Sequence, residues 1–203
     1  MRLYRARFST NVERVALALA HKGIEADSVW IEYSDRGAVE AVSGQGLVPV
    51  LEHEGQVIAD SPIILAWLED HQPEPRLFPA EDPRRVEMEI FIDWFNAFWK
   101  AWPNAIEAEL GQARPNDALI ADYSTAMDTA LDHFERLLTG RDHIFGDEFS
   151  AADCIVFPFL KYALKRDPED DELFHRILDE HQSLDGRPQL RAWIERVDER
   201  PRA

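Results

Sequence analysis

Residues 47–61 read LVPVLEHEGQVIADS, and the arrangement expected for the first domain follows from this stretch. Its apolar residues and the turn signal between them predict two short strands, at residues 48–52 and 57–59. Ser61 followed by Pro62 predicts the start of a helix, because serine is a good N-cap and proline suits the first turn. The stretch therefore encodes a hairpin that leads directly into a helix.

The same stretch predicts a binding site. Pro49 cannot donate a backbone hydrogen bond to a strand ladder, so it belongs at a sheet edge or at a special backbone position. An edge backbone can pair with an extended peptide, and a helix N-terminus at Ser61 can bind a carboxylate. The two features side by side describe a site of peptide size.

The first 71 residues predict alternating strands and helices. Residues 3–8 form a candidate first strand and residues 28–33 a second. Between them, the polar triplet Ser9-Thr10-Asn11 opens a helical pattern that Gly23 closes. A weaker helical segment at 35–43 precedes the hairpin. This order of elements is most simply buried as a mixed sheet with helices packed against it.

Composition changes after the third predicted helix. Three prolines in residues 73–79 restrict both helix and strand. We therefore expect a domain at 1–75, a linker at 76–83 and a second domain at 84–203. That domain shows only helical patterns, at 84–110, 116–138, 150–164, 171–182 and 188–198. The acidic run at 167–172 is interpreted as a solvated loop.

Composition also limits the classes of partner. The net charge of −17 and a pI near 4.7 disfavour nucleic acid and anionic membranes. A single cysteine, Cys154, excludes an internal disulfide and a cysteine-based metal site. The histidines show no metal-ligand spacing, so we expect no metal and interpret them as surface residues. No apolar run approaches membrane-spanning length, and we expect a cytoplasmic protein with no membrane partner.

Five stretches, in their order and spacing, resemble the cytosolic glutathione transferase superfamily, and in particular its serine-type bacterial and plant-like classes. They are Ser9-Thr10-Asn11-Val12-x-x-Val15, residues 47–51, Asp60-Ser61-Pro62-Ile63-Ile64, residues 146–153 and residues 187–193. Together they extend over essentially the full chain. The resemblance implies an α/β thioredoxin-like N-terminal domain that binds glutathione, followed by an all-α C-terminal helical domain.

The resemblance implies that glutathione is the co-substrate and that residues 47–61 bind two of its three parts. It implies a cis peptide bond between Val48 and Pro49, with the Val48 backbone pairing with the cysteinyl unit. Asp60 is implied to face the γ-glutamyl ammonium group, and Ser61 with the helix amides suits the α-carboxylate. Ser61 is also readable as a plain N-cap, and the two roles are compatible.

Ser9 is the catalytic residue that the resemblance implies. Its hydroxyl would donate a hydrogen bond to the glutathione sulfur and favour the thiolate, assisted by the N-terminal dipole of the following helix. Thr10 or Asn11 remain alternatives for contacting the sulfur, and Asn11 is also a candidate glutathione-binding residue. Tyr4 lies earlier in the strand, where an aromatic residue usually packs.

Leu47 departs from the family pattern. Many active members have Lys, Gln or Arg at the position directly before Val-Pro, where it binds the glycyl carboxylate of glutathione. In this chain Gln45 or Arg36 would have to supply that contact.

Aromatic residues at residues 91–102 form two stripes at helical spacing, one through Trp94, Phe98 and Trp102 and one through Phe91, Phe95 and Trp99. One stripe is expected in the core, and the other in a pocket or at a subunit contact. The predicted second-substrate pocket comprises Phe8, Phe95, Phe98 and Trp99.

Two features of the second domain are interpreted as structural. Ser150-Ala151-Ala152-Asp153 is a capping box that starts a helix, and Cys154 lies in a run expected to be buried and inert.

The resulting hypothesis is a homodimeric glutathione transferase in which the glutathione thiolate attacks a small apolar electrophile. Glutathione-dependent reduction of a disulfide or peroxide is an alternative in which Asn11 matters more. Isomerisation of a conjugated acid is another, although Ser9-Thr10-Asn11 lacks the Ser-Ser-Cys motif of that class. A binding or scaffold protein without catalysis is favoured by Leu47.

Overall fold

The computed structural model describes all 203 residues, and the chain divides into two compact units. Unit 1 comprises Met1–Ala80 together with Arg200–Ala203, and unit 2 comprises Glu81–Glu199. The division after Ala80 lies inside the predicted linker. Among the helices, none combines the length and the apolar character needed to cross a bilayer.

Unit 1 contains a four-stranded mixed sheet. The strands are β1 (Arg2–Arg5), β2 (Asp27–Trp30), β3 (Val50–His53) and β4 (Gln56–Ala59), in the spatial order β2-β1-β3-β4. β1 pairs with β2 in parallel and with β3 in antiparallel fashion, and β3 and β4 form the antiparallel hairpin. The predicted fold class is confirmed.

Three helices complete unit 1: α1 (Thr10–Lys22), α2 (Gly37–Ser43) and α3 (Ser61–His71). Gly23 ends α1 as predicted, with φ of 65°, and its N–H bonds the Ala20 and Leu19 carbonyls. The first strand ends earlier than predicted because Phe8 adopts a φ of 62°, which is incompatible with an extended chain.

A buried ion pair fastens α1 to α3. The Lys22 Nζ donates to Glu69 Oε2 at 2.8 Å, and the side chains are 0% and 6% exposed. Glu69 also accepts hydrogen bonds from the backbone N–H groups of Leu77 and Phe78. These two residues are buried, so this part of the predicted linker is packed into unit 1.

The last four residues also belong to unit 1, and their assignment to the helical domain was wrong. The Ala203 N–H donates to the Ala16 carbonyl of α1 at 3.1 Å. Arg202 pairs with Glu13 of the same helix at 2.9 Å. The chain end is therefore hydrogen-bonded along α1.

Unit 2 is all-helical, as predicted. Its helices are α4 (Asp82–Trp94), α5 (Ala101–Leu110), α6 (Asp117–Leu137), α7 (Ala151–Leu160), α8 (Leu173–Glu180) and α9 (Pro188–Asp198). A short 3₁₀ turn, Lys161–Ala163, follows α7.

The long helix predicted at 84–110 is not continuous. A π-helical turn, Phe95–Trp99, separates α4 from α5, and the Lys100 N–H bonds the Phe95 carbonyl five residues earlier. A π turn inserts one residue and rotates the following side chains around the axis. The expectation that one aromatic stripe lies in the core still holds, because Phe95 and Trp99 of one stripe are buried and Phe98 of the other is exposed.

The capping box at the start of α7 is confirmed. The Ser150 N–H donates to Asp153 Oδ2 at 2.9 Å, and the reciprocal bond to the Ser150 side chain is present. Asp153 is fully buried and also accepts from the Trp193 indole N–H at 2.8 Å. Cys154 is buried, as predicted.

Part of the acidic run is not a solvated loop. Asp170 is 1% exposed and accepts a hydrogen bond from the Tyr162 hydroxyl at 2.9 Å. The Nδ1 of His175 lies 3.0 Å from an Asp170 oxygen. His175 and His143 are both buried, so the prediction of surface histidines is wrong for these two.

Candidate functional site

The candidate site lies at the N-termini of α1 and α3 and in the loop before β3. The Val48–Pro49 peptide bond is cis, as predicted. Pro49 is buried and Val48 is half-buried, directly before the strand that crosses the middle of the sheet.

Ser9 is the N-cap of α1. Its Oγ accepts a hydrogen bond from the Val12 N–H at 3.4 Å, a long contact. The preceding residue, Phe8, has the left-handed φ that non-glycine residues rarely adopt. Ser9 is half-buried, so its hydroxyl lies both at a helix N-terminus and at the surface.

The two alternatives to Ser9 differ in accessibility. Thr10 is 5% exposed and belongs to the buried side of α1. Asn11 lines the same surface recess as Ser9. The structure thus brings Asn11, and not Thr10, to the accessible side of this helix start.

Tyr4 is not part of this surface. It is 7% exposed, and its hydroxyl donates to Glu52 Oε2 at 3.0 Å. Burial, together with the carboxylate acceptor, raises the pKa of Tyr4. The phenol is therefore a packed, protonated group on the sheet.

Asp60, and not Ser61, occupies the N-cap position of α3. Asp60 has a φ of 73°, and its carbonyl accepts the first helical bond, from Ile64 N–H, at 2.9 Å. Its carboxylate makes no capping bond. Ser61 is the first helical residue, and the prediction that its hydroxyl caps the helix was wrong.

Arg14 is a residue that the sequence interpretation missed. It lies on α1 and is 1% exposed, and its Nη1 donates to the Ser61 hydroxyl at 3.2 Å. A guanidinium beneath a helix N-terminus adds positive potential where an anion would bind. An arginine among the apolar residues Val12, Val15 and Ala16 was the available signal.

A recess of about 160 Å³ opens beside Ser9. It is bounded by the start of α1, the segment after β2 and the loop before the cis-proline. Its lining residues are Ser9, Asn11, Ile31, Tyr33, Arg36, Gly46, Leu47 and Val48. The structure thus brings together Ser9, Asn11 and Val48 from the predicted site.

Arg36 provides the positive charge in the recess wall. Its Nη1 donates to the Gly46 carbonyl at 3.0 Å, and its Nε to the Tyr33 carbonyl at 3.3 Å. The guanidinium also lies over the Tyr33 ring, 5.3 Å from the centroid. Arg36 is therefore held in position by neutral acceptors and by an aromatic face.

Gln45 is placed differently from the prediction that it binds glutathione. Its Oε1 accepts from the Leu47 N–H at 2.6 Å, and its Nε2 donates to the Leu47 carbonyl and the Ser43 hydroxyl. The amide thus holds its own loop, and Gln45 does not line the recess. Its hydrogen-bonding capacity is used within the chain.

The predicted second-substrate residues separate into two groups. Phe95 and Trp99 are fully buried in unit 2, with their rings stacked at 4.8 Å and packed against Phe159. They are core residues, so their placement in a pocket was wrong. Phe98 is 63% exposed on the same π turn. In unit 1, Phe8 is half-buried with the Arg7 guanidinium over its ring.

One group of possible metal ligands exists in unit 2. Asp170, Glu172 and His175 place ligand atoms within 4.8 Å of one another. The Asp170 oxygens already accept bonds from Tyr162 and from the Glu172 N–H. These hydrogen bonds give the three side chains a structural role at the start of α8.

Family models match both halves of the chain. Residues 3–76 match the model for the glutathione S-transferase N-terminal domain, and residues 117–196 match the model for the C-terminal domain.

Individual relatives are distant. IN2-1 homolog A from rice (Oryza sativa subsp. japonica) is 26% identical over 203 aligned positions, covering 97% of this chain and 76% of the rice protein. Maleylpyruvate isomerase from Ralstonia sp is 27% identical over 188 positions, covering 80% of this chain and 82% of the isomerase.

A solved structure of a glutathione S-transferase has a similar fold. A glutathione S-transferase from Rhodospirillum rubrum F11 superposes with a TM-score of 0.77 at 25% identity, covering 98% of this chain and 88% of that one. Two domain models matched in order, together with this likeness in fold, establish that the chain belongs to the glutathione S-transferase family.

Proposed function

We propose that this protein is a glutathione transferase in which the glutathione sulfur, held as a thiolate, attacks the carbon of a small apolar electrophile. The family uses glutathione as its substrate. The observation that supports the proposal most is the position of the Ser9 hydroxyl, at the N-terminus of α1 and in the same recess as Val48.

Glutathione binds as a short extended peptide. The Val48 backbone pairs with the cysteinyl unit, and this pairing directs the γ-glutamyl end towards α3. The Asp60 carboxylate faces the γ-glutamyl ammonium group. The α-carboxylate binds at Ser61 and the free N–H groups of the first turn, where the buried Arg14 adds positive charge.

Ser9 favours the thiolate by donating a hydrogen bond to it. The Oγ lone pair accepts the Val12 N–H, so the hydroxyl proton remains available for a sulfur acceptor. The partial positive charge at the N-terminus of α1 acts in the same direction and lowers the thiol pKa. The sulfur then forms the new S–C bond while the electrophile releases its leaving group or takes up a proton.

Substitution of Ser9 tests this role. Ser9→Ala should lower kcat for conjugation about 10²–10³-fold, the usual cost of removing one positioned donor, while glutathione still binds. Asn11→Ala tests the alternative sulfur contact, and a loss of turnover in this variant larger than that in Ser9→Ala would favour Asn11 over Ser9. Unchanged turnover in Ser9→Ala would refute the role of Ser9.

One aromatic residue of unit 1 is proposed to contact the electrophile. Phe8 is half-buried and exposes ring surface on which an apolar molecule can pack. Phe95 and Trp99 are left out because their rings are inaccessible. Aryl halides of increasing size are suitable probes of the electrophile.

Isomerisation is the second candidate, supported by the Ralstonia relative, which is a maleylpyruvate isomerase. The triplet Ser9-Thr10-Asn11 offers no cysteine for that chemistry. Turnover of maleylpyruvate without net consumption of glutathione would favour the isomerase over the transferase.

Two further alternatives have distinct outcomes. Reduction of a glutathione mixed disulfide, with no turnover of aryl halides, would favour a reductase that depends on Asn11. A protein without catalysis, which Leu47 favours, would show no melting shift with millimolar glutathione.

We also propose that the protein forms a homodimer. Members of the family often dimerise, and both units expose apolar side chains. Val86 and Ile90 lie one turn apart on α4 and are 51% and 63% exposed, and Ile63 on α3 is 57% exposed. Sedimentation should show a dimer at micromolar concentration, and Ile90→Glu should shift it towards the monomer. A monomeric wild-type chain would contradict the proposal.

A further inference from the structure

We propose that the recess beside Ser9 selects the third residue of the thiol peptide, and that it prefers a residue with an apolar side chain and a free carboxylate over glycine. The ligand class is a γ-glutamyl-cysteinyl peptide with a third residue such as valine. This inference rests on the proposed function, because it assumes that the cysteinyl unit pairs with Val48.

The direction of pairing places the third residue at Leu47. In antiparallel pairing, the residue that follows the cysteinyl unit in the peptide lies opposite the residue that precedes Val48 in the protein. The residue after the cysteinyl unit therefore lies opposite Leu47. Tyr33 and Arg36 line the same recess.

Leu47 has no free backbone N–H to offer this residue. Both of its backbone groups are already bonded to the Gln45 amide, the N–H at 2.6 Å and the carbonyl at 3.0 Å. The leucine side chain is 68% exposed, the largest exposure among the large hydrophobic residues of the chain. Selection at this position is therefore by apolar contact and not by backbone pairing.

The neighbouring wall is apolar as well. Tyr33 is 46% exposed, and its ring orientation is supported by Arg36. Ile31 forms another part of the lining. Glycine has no side chain to cover Leu47 or Tyr33, whereas valine would remove apolar area of both residues from water.

Arg36 supplies the contact for the terminal carboxylate. A guanidinium has five N–H donors, and its two bonds to the Gly46 and Tyr33 carbonyls leave donors available. Arg36 forms no ion pair, in a chain with 39 acidic and 22 basic side chains. Glu40 is the nearby acidic residue, and its Oε1 lies 3.1 Å from the position that a Cβ at Gly46 would occupy.

Gly46 keeps the space for this arginine. A Cβ at Gly46 would lie 3.0 Å from Arg36 Cδ, so a larger residue would displace the arginine side chain. Gly46→Ala is therefore expected to weaken recognition of the carboxylate while keeping the charge.

The test is calorimetry of the full-length protein with four thiol peptides: glutathione, γ-glutamylcysteine, γ-glutamyl-cysteinyl-valine and the C-terminal amide of the valine peptide. The valine peptide should bind at least fivefold more tightly than glutathione, which corresponds to about 1 kcal/mol. Its amide should bind at least tenfold more weakly than the free acid, because the charge on Arg36 is then unmatched.

Variants assign the two effects to residues. Leu47→Ser should reduce the valine-to-glycine affinity ratio to near one, and Arg36→Gln should remove the difference between acid and amide. Leu110→Ser, at a partly exposed leucine of α5, is the matched control. This variant should keep both the affinity ratio and the difference between acid and amide. Glutathione binding as tightly as the valine peptide would overturn this inference alone. Failure of all four peptides to bind would overturn it together with the proposed function.

Discussion

The buried pair Lys22–Glu69 gives the sharpest prediction about stability. Lys22 lies at the end of α1 and Glu69 near the end of α3, and the opposite ends of these helices carry Ser9 and Ser61. The ammonium also donates to the carbonyls of Gln72 and Pro75, at 2.6 and 2.9 Å. The pair therefore fixes the two helices whose N-termini form the site.

Glu69→Ala should destabilise the protein by about 3–5 kcal/mol, because it leaves a buried ammonium without its counter-charge. The N–H groups of Leu77 and Phe78 also lose their acceptor, and each unsatisfied buried donor costs about 1–3 kcal/mol. We therefore expect the upper part of the first range. Lys22→Met in the Glu69→Ala background removes the unpaired charge and should restore at least about 1 kcal/mol.

Urea unfolding followed by circular dichroism measures these changes, and hydrogen exchange of the α1 and α3 amides locates them. Glu89→Ala is the control, because its partner Arg85 is exposed on α4 and such pairs contribute about 0.3–0.5 kcal/mol. A loss below about 1 kcal/mol in Glu69→Ala, or a double variant less stable than the single one, would show that the buried pair does not stabilise the fold in this way.

Three further predictions concern other parts of the chain. Phe95→Ala should cost about 3–5 kcal/mol of unfolding free energy as a buried ring, whereas Phe98→Ala should cost under about 0.5 kcal/mol; the reverse order would contradict the assigned positions. Burial lowers the pKa of His21 below its usual 6.5, and the cation of Arg200 adds to this, while the Arg76 carbonyl opposes it. The unfolded chain therefore binds the proton first as pH falls, so stability present above about pH 6.5 should decline below it, and His21→Asn should flatten that decline in urea titrations. Ser150→Ala should cost about 1 kcal/mol in the same assay by removing the cap of α7, and an unchanged unfolding midpoint would show that the capping box does not contribute.

Local signals in the sequence predicted much of the fold. α9 begins at Pro188 and ends at Asp198 as predicted, because a first-turn proline and a regular apolar period mark it. Gly23 and the Ser150–Asp153 box likewise act through bonds within a few residues. Such signals can be recognised in the sequence because the residues that form each hydrogen bond lie close together in the chain.

The missed features depend on contacts that are distant in sequence or on the exact backbone path. The bond from Arg14 to Ser61 joins residues 47 positions apart. The π turn at Phe95–Trp99 interrupts the helix predicted at 84–110, and spacing alone cannot show an inserted residue. The bonding of Gln45 to its own loop similarly follows from backbone geometry and not from residue type.

We propose that unit 1 holds glutathione as a thiolate through Ser9. The most direct measurement is the pKa of the bound glutathione thiol, obtained from the ultraviolet absorbance of the thiolate as a function of pH. In the wild-type protein we expect a pKa well below the value of about 8.5 for a free cysteine thiol, and in Ser9→Ala a return towards that value. An unshifted pKa in the wild type, or the same lowered pKa in both proteins, would show that Ser9 does not hold the thiolate.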